Sequence, residues 1–207
     1  MRDKKRIVEE GYDRIAEAYR KARAKTSHRD EKYLKLLLEL LPRGSKVLDL
    51  GCGAGVPTTK LLARHHEVTG IDISAKQIEQ ARKLVPEATF HKADMTEASF
   101  PPETLDAVCS LFAIIHVPRE EHPALFKRLH RMLRPDGLLL VNLGSTDWVS
   151  TPEDRLLGVE MHWSHYDAET NKKLLENAGF NTIQSSIEGE KFHGAYEEHL
   201  YVLAKKT

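Results

Sequence analysis

Short apolar runs alternate with amphipathic stretches along most of this chain, and that alternation limits the possible folds more than any other feature. V-L-D-L (47–50), E-V-T-G-I-D-I (67–73), A-T-F-H-K-A-D-M (88–95), T-L-D-A-V-C-S-L-F (104–112) and L-L-L-V-N-L (138–143) read as strands. Helices are expected over 56–64, over 74–84 with Ser74 as cap, and over 119–133, closed by R-P-D-G. Asp167 caps a last helix that ends at Gly179, a C′ glycine. F-N-T-I-Q-S-S-I-E (180–188) and H-L-Y-V-L-A (199–204) then form two strands close enough for a hairpin. Strands and helices in this order predict a parallel, doubly wound sheet covered on both faces. The expected fold is therefore α/β, a three-layer, Rossmann-like, seven-stranded, mostly parallel sheet with one antiparallel strand from a C-terminal hairpin.

Two further segments flank this core. Residues 3–24 read as an amphipathic helix or helix pair, with Ile7, Val8, Tyr12, Ile15, Ala16 and Tyr19 at three- and four-residue intervals. A second helix over 30–41 takes Asp30 as its N-cap. Residues 144–166 read as an irregular, polar-aromatic stretch. With no repeat or linker, all 207 residues are expected in one domain: 1–42 helical, 43–143 the core, 144–166 an insertion, and 167–207 the last helix and hairpin. Lys plus Arg and Asp plus Glu are both 31, so the net charge is zero. Such a chain has no built-in attraction for nucleic acid or anionic lipid. The two cysteines, Cys52 and Cys109, form no C-x-x-C pair and so neither a disulfide framework nor a zinc knuckle. The first residues lack the apolar core of a secretory signal, and no apolar run approaches a membrane span, so a cytoplasmic location away from membranes is expected.

The first strand runs straight into a turn, V-L-D-L-G-C-G-A-G (47–55), at the switch point where sheets of this kind bind ligands. A dinucleotide fingerprint needs glycines at i, i+2 and i+5; here they fall at 51, 53 and 55, and Val56 occupies i+5. Asp49 just before the turn would repel a pyrophosphate and attract a cation. No G-K-[ST] follows, which rules out a Walker loop.

The ordered set V-L-D-L-G-C-G-A-G, Asp72 at the end of the second strand, A-D-M (93–95) and L-R-P-D-G-L-L-L-V (133–141) resembles the class I S-adenosylmethionine-dependent methyltransferases, over roughly residues 45–143. The resemblance implies S-adenosyl-L-methionine as cofactor and S-adenosyl-L-homocysteine as product. It implies that Asp49 lies near the methionine amino group and that the backbone of Gly51, Cys52 and Gly53 passes the methionyl and ribose parts. Asp72 would accept the ribose hydroxyls, Ile73 and Gln77 would line the adenine side, and Asp94 with Met95 would meet the adenine. Ser110 or Leu111 would touch the sulfonium region. Y-D-R-I-A-E-A-Y (12–19) resembles the lead-in of small-molecule and lipid-quinone methyltransferases, where it forms a lid; Tyr12 and Tyr19 would shield cofactor and substrate, or serve as core anchors.

No Asn/Asp-Pro-Pro-aromatic motif follows strand four, where S-L-F-A-I-I-H-V-P stands instead, so a small molecule is the expected acceptor, through an O, N or S atom. The stretch V-E-M-H-W-S-H-Y-D (159–167), preceded by Trp148, would roof the substrate pocket, and Trp148, Trp163 and Tyr166 would stack on an aromatic substrate or fill the roof. Three readings of the histidines stay open. His165, His162 or His116 is a general base, for which an unperturbed pKa near 6.5 is suited. Alternatively, His162 and His165 join His193 or His199 and Glu198 at a metal. Otherwise they are ordinary pocket and surface residues. No metal ligand is assigned, and a monomer or homodimer is expected. A nicotinamide-dependent oxidoreductase on the same kind of sheet and a non-catalytic cofactor binder are the alternatives.

Overall fold

The computed structural model describes residues 3–23, 28–192 and 195–207. Two helices lead, α1 (Lys4–Arg23) and α2 (His28–Leu40). The core follows as β1 (Lys46–Leu50), α3 (Thr58–Leu62), β2 (Glu67–Asp72), α4 (Ala75–Leu84), β3 (Thr89–Lys92), β4 (Leu105–Ser110), α5 (His122–Met132) and β5 (Leu133–Gly144). Four two-residue strands come next: β6 (Trp148–Val149), β7 (Arg155–Leu156), β8 (Val159–Glu160) and β9 (Ser164–His165). The chain closes with α6 (Ala168–Asn177), β10 (Phe180–Phe192) and β11 (Ala195–Lys206).

The main sheet has seven strands in the order β10-β11-β5-β4-β1-β2-β3. β1 runs parallel to β2 and β4, β2 to β3, and β4 to β5, while β11 is antiparallel to both neighbours. This is the expected mostly parallel α/β sheet with one antiparallel strand. β1 is buried from Val47 to Leu50 because both faces are covered. Leu48 and Leu50 join Leu139, Val141, Phe126 and Leu175 under α5 and α6. Val47 joins Leu34, Leu37 and Leu62 under α2 and α3. Among the described residues no helix is long and apolar enough to cross a membrane.

Ser74 caps α4 by accepting from the Gln77 amide, and Asp167 caps α6 by accepting from Thr170 N–H at 2.9 Å, as the sequence predicts. Gly179 follows α6 with φ +96°. Asp30 does not cap α2: the helix starts at His28, and Asp30 is buried in its first turn, where Arg23 and the Tyr201 hydroxyl (3.0 Å) bind its carboxylate. A charge placed so deep needs a partner, and the guanidinium supplies one. The R-P-D-G stretch does not separate α5 from β5. The strand begins at Leu133, paired with Leu105, and a register shift absorbs the turn residues before Ala107 meets Leu138. The last two strands are longer than expected, and the hairpin runs past the end of β5, whose final pair is Gly144 with His199. Residues 144–166 are not irregular throughout: β6 pairs with β9 and β7 with β8. The β7–β8 ribbon gives Leu156 and Met161 to a small core with Val8, Tyr12 and Ile15 of α1.

Candidate functional site

The carboxyl ends of β1 and β4 part company at the switch point, and a cavity opens there under α1. Gly51, with φ +76°, needs its missing side chain for another part of the chain: a Cβ would lie 2.1 Å from that of Ala113. Gly51 also lines the cavity. Gly53 (φ +53°) lines it too, and a Cβ there would meet nothing nearer than Gln77 Oε1 at 3.9 Å. Cys52 lines the cavity, but burial pushes its thiol pKa well up, so the sulfur stays protonated.

Two carboxylates face this space, Asp49 buried and Asp72 half-buried. Asp49 accepts a hydrogen bond from Thr59 Oγ1 at 2.5 Å. Burial raises its pKa to about 7, the Thr59 bond opposes the rise, and the Asp72 charge adds to it. Asp72, at the end of β2, accepts from Gly53 N–H (2.9 Å) and Ser74 N–H (2.8 Å). Burial nevertheless raises it to about 6. Gln77 lies beside them, buried, with neither amide atom partnered among the described residues. A space walled by two reluctant carboxylates and an unsatisfied amide suits a cationic ligand that also carries hydroxyl and amine groups.

Ile73 lines the same wall. Asp94 and Met95 border the far end, where Asp94 accepts from Thr96 and pairs with Lys5 at 3.1 Å. Lys5 also reaches Thr96 Oγ1 (2.6 Å) and Glu121 (2.7 Å), tying the start of α1 across that end. Asp13 ties the middle of α1 down by accepting from Ser74 Oγ (2.6 Å) and Lys76 N–H (3.0 Å). Neither role was assigned from sequence, although Asp13 stands inside the Y-D-R-I stretch. Leu111 lines the cavity, whereas Ser110 does not: its hydroxyl donates to the Leu50 carbonyl at 2.7 Å, inside the sheet.

Tyr12, Tyr19 and His116 line the cavity on its α1 side and also a narrow throat that leads out of it. The two tyrosine rings meet edge to face, with centroids 5.0 Å apart. His116 Nδ1–H donates to the His162 carbonyl at 2.7 Å, so Nε2 is the acceptor for the Tyr12 hydroxyl at 2.8 Å. Burial lowers the His116 pKa to about 4, and the ring is neutral with both nitrogens engaged. The other two histidines picked as bases lie elsewhere. His162 lines none of these spaces; its Nδ1 and the Ser150 hydroxyl share a hydrogen bond of 3.1 Å, and burial lowers its pKa. His165 lines only an outer chamber and donates through Nδ1 to the Thr146 carbonyl at 2.7 Å. Trp163 lines throat and chamber, and Trp148 the chamber, their rings stacked at 5.7 Å. Tyr166 lines neither: Arg119 lies over its face at 4.9 Å, making it a packing residue.

His199 and Glu197 line both throat and chamber, and Glu198 the chamber; His193 lies outside the described residues. Among the described residues no group of three or more His, Cys, Asp or Glu could hold a metal ion. Phe112 and Ala113 also border the cavity; the apolar run predicts a strand as far as Phe112, but β4 ends at Ser110 and both residues follow it.

A family model described as a methyltransferase domain matches residues 47–137, the stretch that carries β1, the glycine turn, Asp72 and Asp94. Those residues form a methyltransferase domain of the class I S-adenosylmethionine-dependent kind. Among curated members it is similar to phosphoethanolamine N-methyltransferase 3 of Arabidopsis thaliana, 29% identical over 82% of this chain and 35% of that one. It is also similar to sterol 24-C-methyltransferase of Yarrowia lipolytica, 30% identical over 80% of this chain and 45% of that one. The chain thus spans less than half the length of these methyltransferases. A solved structure of magnesium protoporphyrin IX methyltransferase from Synechocystis PCC 6803 with bound SAH superposes with a TM-score of 0.74 over 99% of this chain and 100% of that one. At 20% identity, that likeness speaks for the fold.

Proposed function

We propose that this chain transfers the methyl group of S-adenosyl-L-methionine to an O, N or S atom of a small molecule. One observation carries the reading: Asp49, Asp72 and the unpartnered Gln77 amide all border one cavity at the switch point of the sheet. A ligand with an ammonium, a sulfonium and a ribose would stabilise both carboxylates in their charged form and satisfy the amide. In this reading Asp49 holds the amino group, Asp72 the ribose hydroxyls, Gln77 and Ile73 the adenine side, and Asp94 with Met95 the adenine edge. The backbone of Gly51, Cys52 and Gly53 runs beside the methionyl and ribose parts, and Leu111 and Tyr19 close over the sulfur.

The bound cofactor supplies an already activated methyl group. What remains for the chain is positioning: Tyr12, Tyr19 and His116 border both the cavity and the throat, so they define the line along which a nucleophile approaches. His116 orients the Tyr12 hydroxyl there instead of standing ready as a base, given its two occupied nitrogens. The same reading takes the location to be cytoplasmic and the working unit to be a monomer or homodimer. Titration calorimetry tests it: S-adenosyl-L-homocysteine binds with one site per chain, and Asp72→Ala weakens it by about tenfold or more, as loss of hydrogen bonds to a charged acceptor should. Binding of NAD in its place, or an Asp72→Ala protein with unchanged affinity, sinks the assignment.

A further inference from the structure

The three connected spaces differ in size and chemistry, and the difference bears on what the acceptor is. The throat takes half its walls from the cavity (Tyr12, Tyr19, Arg23, Phe112, His116) and half from the outer chamber (Ile115, Leu156, Trp163, Glu197, His199). Its volume is about 30 Å³, while the chamber measures about 490 Å³. The chamber, far the larger of the two, is the space with room for the body of an acceptor. The body of an acceptor would therefore stay in the chamber and send only its nucleophile through.

The chamber presents the stacked indoles of Trp148 and Trp163, with His165 edge-on to Trp148 at 5.7 Å and His116 tilted against Trp163 at 5.5 Å. Among the described residues the carboxylates of Asp154 and Glu198 border it against the guanidinium of Arg155, and Glu197, which has a contact of its own, stands on the same wall. Arg23, at the throat, adds no net positive charge, because it is paired with Asp30 and lies 3.8 Å from the Phe112 ring centroid. Indole faces and an excess of carboxylate in a walled space both favour a cation.

Building on the proposed function, we infer that the outer chamber is the acceptor site and that it selects a cationic, amine-bearing molecule with an aromatic body, whose nucleophile reaches the cofactor cavity through the Tyr12–His116–Trp163 throat. An amine also suits the throat chemically. Bound as an ammonium, it first loses a proton to water in the chamber; the freed nitrogen lone pair then attacks the methyl carbon as the carbon–sulfur bond breaks and its electron pair stays on sulfur, and the product leaves as the N-methylated ammonium, so no base need stand at the throat.

Both tryptophans of the chain line this chamber, so intrinsic indole fluorescence reports on it directly. The test titrates benzyltrimethylammonium and its anionic counterpart p-toluenesulfonate into the protein, with and without saturating S-adenosyl-L-homocysteine. The cation should quench saturably and bind roughly tenfold or more tighter than the sulfonate. Glu198→Gln should narrow that preference by about threefold or more while leaving S-adenosyl-L-homocysteine affinity unchanged. Isothermal titration of a Trp148→Leu variant, free of the fluorescence readout, should show weaker cation binding. Equal or tighter binding of the sulfonate overturns the inference, as does cation affinity indifferent to both substitutions. Failure of S-adenosyl-L-homocysteine to bind would overturn the proposed function instead, and the titrations without it would still decide the chamber's preference.

Discussion

Asp49→Asn should stabilise the ligand-free protein at alkaline pH. Unfolded, Asp49 has the ordinary pKa of 3.8; folded, burial holds it at about 7. Below pH 3.8 the group is protonated in both states and does not affect the balance. Between pH 4 and 7 the unfolded chain gives up a proton that the folded chain retains, so stability falls as pH rises, and the full penalty stands above pH 7. Three pKa units correspond to about 4 kcal/mol. Hydration through the open side of the cavity should trim the recoverable part to about 2 kcal/mol. Asn keeps an oxygen for the Thr59 hydroxyl and cannot ionise, so the penalty vanishes with the substitution. For a chain of this size that means a Tm higher by about 4–8 °C at pH 8. Thermal unfolding of both proteins without ligand, at pH 8 and at pH 4, decides it. The gain should be present at pH 8 and nearly absent at pH 4. A variant less stable than the parent at pH 8, or a shift equal at the two pH values, would refute the account of Asp49 as a carboxylate held in reserve for a cation.

Two further substitutions probe how α1 is held over the site. Tyr12→Phe leaves His116 Nε2 buried without its donor, so unfolding by urea should show a loss of about 1–3 kcal/mol, and NMR titration should find the His116 pKa still well below 6.5, since burial and not Tyr12 sets it; a stability loss under a few tenths would remove the hydrogen bond from the account. Lys5→Met cuts the ties to Asp94, Thr96 and Glu121, and amide exchange over residues 4–10 should speed up about fivefold while α5 and β1 keep their rates; unchanged exchange in α1 would show that Lys5 does not fasten it.

Much of the fold is legible because the signals that build it are local. The short apolar runs needed only their neighbours to declare strands, and Ser74 and Asp167 cap their helices through bonds to residues three positions on. Where the reading failed, a distant partner had intervened. Asp30 looks like a cap, but Arg23 and Tyr201 draw it inward. R-P-D-G looks like a break, but pairing of Leu133 with Leu105 carries the strand through it. Ser110 stands where a cofactor contact is expected, yet its hydroxyl turns to the carbonyl of Leu50 on the neighbouring strand.

The two halves of the site divide along the same line. Asp49, Cys52, Gly53, Asp72, Ile73, Gln77, Asp94 and Met95 stand at strand ends or the first turns after them, and a parallel sheet brings successive strand ends to one edge. Naming the strands was nearly enough to name these residues. The throat and chamber have no such rule behind them. They are assembled from α1, the segment after β4, the β7–β8 ribbon and the overhang of the β10–β11 hairpin. The Tyr12–His116 hydrogen bond spans 104 positions, and His199 faces Phe112 from a strand near the other end of the chain. Periodicity carries no information about such meetings, which is why the histidines in H-W-S-H drew attention as bases while Glu197 and Phe112 passed unnoticed. It follows that the cofactor half of such a site tolerates little rearrangement, because the sheet itself sets its geometry. The acceptor half is held by ribbon and hairpin contacts that can be redrawn without disturbing a single strand of the core, and the substrate a chain of this fold accepts is written there.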